Sequence, residues 1–442
     1  MAFRRRSPYD AEIWRLALPA FGALAAEPLY VLVDTAIVGQ LGTRPLAGLA
    51  VAGTVLVAAF SLFNFLAYST TAAVARRVGA GDRRGAAELG VDGAWLALAI
   101  GLVLTIVGLA ASSWIVDAMG ASQNVRPYAL DYLRISLLGA PFMLVGFAGA
   151  GYLRGMQDTA STLVIAVAAN VLNLLLEVLF VYGFDWGISG SALGTVLAQV
   201  AAATAFVVII VRSARRERAA LRPTRAGVQQ TAVVGGPLMV RTGSLFFVFI
   251  ATTSLAARIS DDAVAAHQIA YQVFLFLALS MDALAIAAQA MIGRSLGAVD
   301  ALGARAVARR MLEWGVLVGV GFGLVLAAVT PLLVTVFSDD AGVQDLAEQL
   351  LWIVAALQPL NAIVFVLDGV LIGAGDQRFL AVAMVAATFG VYVPAAVVVT
   401  IAGGGIVALW CALALWFGAR AVGLSARYLG TRWQVTGATI PH

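Results

Sequence analysis

Seven ionisable side chains stand inside long apolar runs: Glu27, Asp34, Arg134, Glu177, Arg241, Asp282 and Asp368. Asn64, Asn170, Asn173, Gln268, Gln272 and Gln289 accompany them. In hydrocarbon each ionisable group costs at least about 2.5–3.5 kcal/mol on insertion scales, so each demands a reason. Asp34 lies six residues before the end of the first apolar run, and Glu177 six before the end of the fifth. Both are therefore roughly 9 Å deep from one surface, and Thr195, seven residues into the sixth run, is roughly 10 Å deep. Asn173 precedes Glu177 by four residues and shares its helix face. If the three helices are neighbours, these polar groups share one level. Two carboxylates there cannot both carry charge cheaply, so the pair is expected to accept a proton according to which side is open. A polar network gluing three helices accounts for the Asn and Thr but poorly for the acids. Pro28, six residues before Asp34, frees a backbone carbonyl and gives the first run either a static kink or a place to bend.

The elements that must position these groups follow from composition. Of the 442 residues 62% are hydrophobic and 12% charged, with a mean hydropathy of +0.94. Soluble domains average roughly 45–50% apolar and about 25% charged, so a water-soluble fold and a disordered chain are both excluded. At about 20 residues per crossing, twelve spans are expected near 13–40, 46–75, 90–116, 126–153, 160–183, 188–211, 231–258, 264–293, 310–337, 343–373, 379–401 and 404–426. The breaks carry turn residues, as in Gly42-Thr43-Arg44-Pro45, Gly79-Ala80-Gly81-Asp82 and Gly403-Gly404-Gly405.

Basic residues assign the sides. All 28 are Arg, for a net charge of +4. Loops after even-numbered spans hold Arg76, Arg77, Arg83, Arg84, Arg154, Arg212, Arg215, Arg216, Arg218, Arg222, Arg225, Arg294, Arg305, Arg309 and Arg378. Loops after odd-numbered spans hold only Arg44, Arg126 and Arg258. The positive-inside rule then puts both termini in the cytoplasm. The start, Arg4-Arg5-Arg6 followed by Asp10, Glu12 and Arg15, reads as a retained tail rather than a signal peptide.

The chain repeats itself at an offset of 218. Arg76-Arg-Val-Gly79-Ala80-Gly-Asp82-Arg-Arg-Gly85-Ala86 matches Arg294-Ser-Leu-Gly297-Ala298-Val-Asp300-Ala-Leu-Gly303-Ala304 at six positions. The same shift carries Gly151, Leu153, Gly155 and Asp158 onto Gly369, Leu371, Gly373 and Asp376, Pro19 onto Pro237, and Pro141 onto Pro359. Six spans per half is an even number, so both halves keep one orientation. The expected fold is an all-α polytopic membrane protein, twelve transmembrane helices in two six-helix lobes related by a pseudo-two-fold axis along the membrane normal. The expected domains are an N-lobe (1–211), a cytoplasmic Arg-rich linker (212–230) and a C-lobe (231–442) with a short C-terminal tail. Two such lobes around a cleft are the architecture of an alternating-access transporter.

The second half has no matching acidic pair, because Thr252 stands where the repeat places Asp34. Arg241 and Asp368 read as a structural pair or gate on the cytoplasmic side, and Asp282 and Gln268 on the eighth span are further structural or gating candidates. His267 reads as a packed or interfacial imidazole. Gly79-Ala-Gly-Asp82 is not a phosphate loop, since no Lys-Ser/Thr follows it. One cysteine, Cys411, and two imidazoles, His267 and His442, give no disulfide framework and no metal-ligand spacing. With no nucleotide motif or catalytic triad, the chain is not expected to be an enzyme, and an ion gradient must supply the energy.

At these residues the chain resembles the multidrug and toxic compound extrusion (MATE) family, in its DinF-like branch. The resemblance rests on Pro28-Leu-Tyr30-Val-Leu-Val-Asp34-Thr-Ala-Ile-Val-Gly39-Gln-Leu-Gly42, Phe65-Leu-Ala-Tyr-Ser-Thr70-Thr71 and Gly151-Tyr-Leu-Arg-Gly155-Met-Gln157-Asp158. It extends over Asn170-Val-Leu-Asn173-Leu-Leu-Leu-Glu177, Gly187-Ile-Ser-Gly190-Ser-Ala-Leu-Gly-Thr195, Ala265-Ala-His267-Gln268-Ile-Ala-Tyr-Gln272 and Asp282-Ala-Leu-Ala-Ile-Ala-Ala-Gln289. The resemblance implies an antiporter of amphipathic, often cationic, drugs or metabolites, in the bacterial cytoplasmic membrane and acting as a monomer. It implies proton coupling at Asp34 and Glu177, and a cavity lined by Asn173, Thr195, Asn170, Pro28, Tyr30 and Asn64. Glu177 departs from the family's usual Asp by one methylene. No cofactor is implied beyond the proton gradient, with sodium the other coupling ion in view, and no nucleic-acid partner. Organic-anion export of citrate-like compounds, in which Arg241 and Arg134 would matter more, and flipping of lipid-linked precursors are the competing functions.

Overall fold

The computed structural model describes residues 7–439. Arg4, Arg5, Arg6 and His442 lie outside the described residues. No strand occurs among those described. The spans are α1 (Asp10–Gln40), α2 (Thr43–Gly79), α3 (Arg83–Ala118), α4, α5 (Thr159–Gly183), α6 (Gly187–Arg216), α7 (Arg225–Ile259), α8 (Asp261–Gly297), α9 (Ala301–Phe337), α10 (Ala341–Ala374), α11 (Gln377–Ile401) and α12 (Ile406–Leu429). α4 is made of two segments, Arg126–Leu137 and Ala140–Gly155, bent by 48°. Each of the other eleven is long and apolar enough to cross a bilayer, and α4 as one bent span makes twelve.

Contacts divide the chain into two units. One is Leu18–Gly235; the other is Gly236 onward together with the described residues up to Ala17. The first turns of α1 thus belong with the second half of the sequence. The Asp10 carboxylate accepts from Arg310 Nε at 2.6 Å, Arg310 Nη2 at 2.9 Å and Trp314 Nε1 at 2.9 Å. Glu12 pairs with Arg294 at 2.6 Å, and Trp14 meets Trp314 edge-on at 5.1 Å. Of the stretch 212–230, only residues 217–224 lie outside helix. Their end is held in the first unit by Asp92, which accepts from Thr224 N at 2.7 Å and Thr224 Oγ1 at 2.8 Å. Asp92 and Arg310 are equivalent under the repeat. The third helix of each half therefore anchors a chain segment leading into a first helix.

The repeat governs packing within each unit. In the first, Gly151 of α4 presses on α2, where an added Cβ would lie 2.5 Å from the Ala67 carbonyl oxygen. In the second, Gly369 of α10 would meet the Ala285 oxygen of α8 at 2.4 Å. The pairs Gly101–Pro141 and Gly319–Pro359 repeat the same close approach, with Cβ-to-Pro Cα distances of 2.4 and 3.0 Å. Membrane helices gain nothing from apolar burial against lipid, so such small residues let backbones meet and dispersion hold them. Asp82 and Asp300 cap α3 and α9 through the Gly85 and Gly303 N–H groups, at 2.8 and 2.7 Å.

Candidate functional site

The polar cluster of the first unit is built by α1, α4, α5 and α6. Asp158 caps α5, accepting from Ser161 N at 3.0 Å. Gly190 and Gly194 bring α6 onto α5, where a Cβ on Gly194 would lie 3.2 Å from Glu177 N. At the far end of α5 the last turn widens to a π-turn, with Phe184 N–H donating to the Leu179 carbonyl at 3.0 Å. There Tyr182 donates to Gln40 Oε1 at 2.9 Å, tying α5 to the end of α1.

Asp34 is 4% exposed. Its Oδ1 accepts from Ser191 Oγ at 2.6 Å and its Oδ2 from the Tyr132 hydroxyl at 3.2 Å. Thr195 Oγ1 donates to the Ser191 carbonyl at 3.2 Å, which leaves the Tyr30 hydroxyl to donate to Thr195 at 2.8 Å. Glu177 is fully buried beside Asp34 and Ser191, and neither of its oxygens closes a hydrogen bond. Asn173, also buried, lies beside the Tyr30 hydroxyl with its amide oxygen and nitrogen unpartnered. Asp34, Glu177, Asn173, Thr195 and Tyr30 thus come together at the level that helix arithmetic expects.

Two adjoining cavities of about 390 and 230 Å³ open against this cluster and share Glu27, Tyr30, Met143, Phe147, Thr195 and Gln199. Asp34 and Asn64 line the larger, Asn170 and Asn173 the smaller. Asn170 also donates to the Ala26 carbonyl at 2.9 Å, just before Pro28. Pro28 is exposed and lines neither cavity. Glu27 is seven residues from Asp34 and so on nearly the same face, about 10 Å further along α1. Phe142, Phe147 and Phe206 give the smaller cavity an apolar wall around that carboxylate.

The second unit brings Arg241 and Asp368 together at 2.5 Å, and Arg420 joins them on the same Asp368 oxygen at 2.7 Å. Arg420 stacks on Trp416, 4.8 Å from its ring centroid. Asp282 is half-buried, and Gln268 is exposed near the opposite end of α8, apart from the Arg–Asp group. Arg134 is exposed and donates to Ser112 and Ser113 at 3.0 and 3.2 Å, away from the cavities. His267 is packed: its Nδ1 accepts from Trp410 Nε1 at 3.2 Å and its Nε2 meets Thr253 Oγ1 at 2.9 Å. Sequence reasoning missed Ser191, Tyr132 and Arg420. Ser191 was within reach, since it precedes Thr195 by four residues on one helix face, and Arg420 interrupts an apolar run. Tyr132 carried no signal, because what it meets is set by how α4 packs on α1 and not by its spacing.

Twelve crossings, a repeated half and a polar cavity with carboxylates at membrane depth define a polytopic secondary transporter, not an enzyme. The chain belongs to the MatE family, whose model matches residues 19–179 and 237–398, one copy in each half. It is similar to Protein DETOXIFICATION 44, chloroplastic, of Arabidopsis thaliana, 33% identical over 95% of this chain and 82% of that one. It is also similar to the DNA damage-inducible protein F of Escherichia coli strain K12, 29% identical over 96% and 93%. Solved structures share the fold. A MATE protein crystallised in a bent conformation superposes with a TM-score of 0.86 at 21% identity, covering 97% of this chain and 96% of that one. An outward-facing multidrug resistance MATE transporter gives 0.85 at 22%, covering 96% and 97%.

Proposed function

We propose that this chain is a proton-driven antiporter that exports amphipathic cations by alternating access, with Asp34 and Glu177 as the coupling pair. The observation that carries the reading is the state of Glu177. It is a fully buried carboxyl, beside Ser191 and Asp34, whose oxygens close no hydrogen bond of ordinary geometry, and the neighbouring carboxylate is already supplied by Ser191 and Tyr132. Two bare charges there would be penalised both by desolvation and by each other, whereas one proton held between them satisfies both oxygens. Loading and releasing that proton changes the charge of the wall on which Tyr30, Asn173 and Thr195 sit. Glu27, on the shared wall of both cavities with aromatic rings nearby, supports a substrate that carries positive charge on an apolar body. A relative named as a probable multidrug resistance protein supports drug-like substrates. The Arg-rich loops support a cytoplasmic location for both termini, in the bacterial cytoplasmic membrane, and the site is complete within one chain, which supports a monomer.

The test is transport in everted vesicles under an imposed pH or sodium gradient, with cations, organic anions and lipid-linked precursors offered in turn. Asp34→Asn keeps shape but removes titration, so pH-driven efflux should collapse while expression and substrate binding persist. Efflux at the wild-type rate in Asp34→Asn would overturn the coupling assignment. Export of anions alone would overturn the substrate class.

A further inference from the structure

In the second unit a furrow of about 820 Å³ opens between α11 and α12. Its walls are small and apolar, with Ala383, Ala386 and Val391 on one side and Ala419, Gly423 and Ala426 on the other. Gly423 faces open space, with no atom within 4 Å of where a Cβ would be. From Ala419 to Leu429 the furrow follows α12 for about 15 Å, roughly the hydrocarbon depth of one leaflet, and Arg432 lies in the turn beyond. A trough of this width and lining suits an acyl chain.

One end is closed by the turn that follows α12, and that turn is rigidly held. Gln434 N–H donates to the Thr431 carbonyl at 3.0 Å, and Gly437 N–H to the Leu296 carbonyl at 3.0 Å. Trp433 is 1% exposed, donates through Nε1 to the Tyr428 carbonyl at 2.9 Å and stacks on the Tyr428 ring at 5.9 Å. Arg432, between these anchors, is exposed at the mouth of the furrow. The other guanidinium at the mouth, Arg427, is balanced by Asp376 through bonds of 2.5 and 3.0 Å and lies over Phe379 at 4.9 Å. The mouth therefore holds two guanidinium groups and one carboxylate, on a side where Arg305 and Arg378 also lie at the ends of neighbouring helices.

We propose that this furrow seats one anionic phospholipid, its acyl chain along Ala383, Ala386 and Gly423 and its phosphate on Arg432. A guanidinium matches a phosphate diester through charge-assisted hydrogen bonds, and the backbone that carries Arg432 is held beside the buried Trp433. Basic pockets between spans select anionic over zwitterionic headgroups, and surface Arg contributes about 1 kcal/mol each, or about fivefold.

The test is native mass spectrometry of the purified full chain, titrated with dioleoyl phosphatidylglycerol or with dioleoyl phosphatidylcholine. Wild type should retain one phosphatidylglycerol with a preference of about tenfold. Arg432→Ala, an exposed change, should bring the preference to within about twofold, and Gly423→Leu, which fills the trough, should lose the retained lipid. Gel-filtration profiles and circular dichroism report that both variants are folded, and Gly423→Ala serves as a milder filling if the leucine is not tolerated. Equal retention of the two lipids by wild type, or an unchanged preference in Arg432→Ala, would overturn the proposal. Loss of preference in Arg432→Ala with retention untouched in both Gly423 variants would overturn it too, since the lipid would then not be seated in the furrow.

Discussion

The repeat makes a backbone prediction that needs no ligand. Val299 sits at φ 62° in the turn between α8 and α9, and Gly81 at φ 76° in the equivalent turn between α2 and α3. The left-handed region costs an L-residue roughly 1–2 kcal/mol, and a β-branched one stands at the upper end. Val299 is 68% exposed, so removing its side chain sacrifices little packing. Glycine relieves the backbone penalty but loses about 0.5–1 kcal/mol more entropy on folding. Val299→Gly should therefore stabilise the chain by about 0.5–1 kcal/mol, raising the thermal midpoint in detergent by about 1–2 °C in a protein of this size. Gly81→Val, where nothing lies within 4 Å of the new Cβ, should destabilise by about 1–2 kcal/mol through backbone alone. The turn after α4 offers an internal check, with Gln157 at φ 65° where its repeat partner Gly375 has φ 81°. Gly375→Ala should act in the same direction as Gly81→Val. A lowered midpoint in Val299→Gly, together with an unchanged one in Gly81→Val, would refute the reasoning.

Gly369→Ala drives a methyl into the Ala285 backbone at 2.4 Å, so thermal unfolding should show a loss of about 1–3 kcal/mol; a neutral result would mean that α8 and α10 are free to separate. Arg420→Met removes one of two guanidinium groups on Asp368 and should cost about 1–3 kcal/mol, with Arg420→Lys restoring little because the stack on Trp416 needs a planar group. The Asp82 carboxyl is held below the usual carboxylate range by the Gly85 N–H and by Arg77. Its stabilising contribution is therefore present above about pH 4 and lost as pH falls through the lowered value. Asp82→Asn should flatten the acid limb of a stability–pH profile, and an unaltered limb would count against that role.

The membrane class, the twelve crossings and the repeat were all legible in the sequence, because hydropathy and turn chemistry are local properties that recur along the chain. The level shared by Asp34, Glu177, Asn173 and Thr195 was legible too, since helix rise is fixed and depth follows from counting residues. Tertiary structure alone decided what those groups touch. Ser191 and Tyr132 reach Asp34 only because α4 and α6 pack against α1 in the folded bundle, and that packing is not written at the residues concerned. Glu177 is left without a donor by the same packing. Arg420 becomes a second partner of Asp368 only when α12 lies along α10. The association of residues up to Ala17 with the second half depends on Asp10 finding Arg310 three hundred positions away. Spacing along a helix specifies which face a side chain occupies and how deep it lies; which neighbour fills that face is a property of the packed bundle.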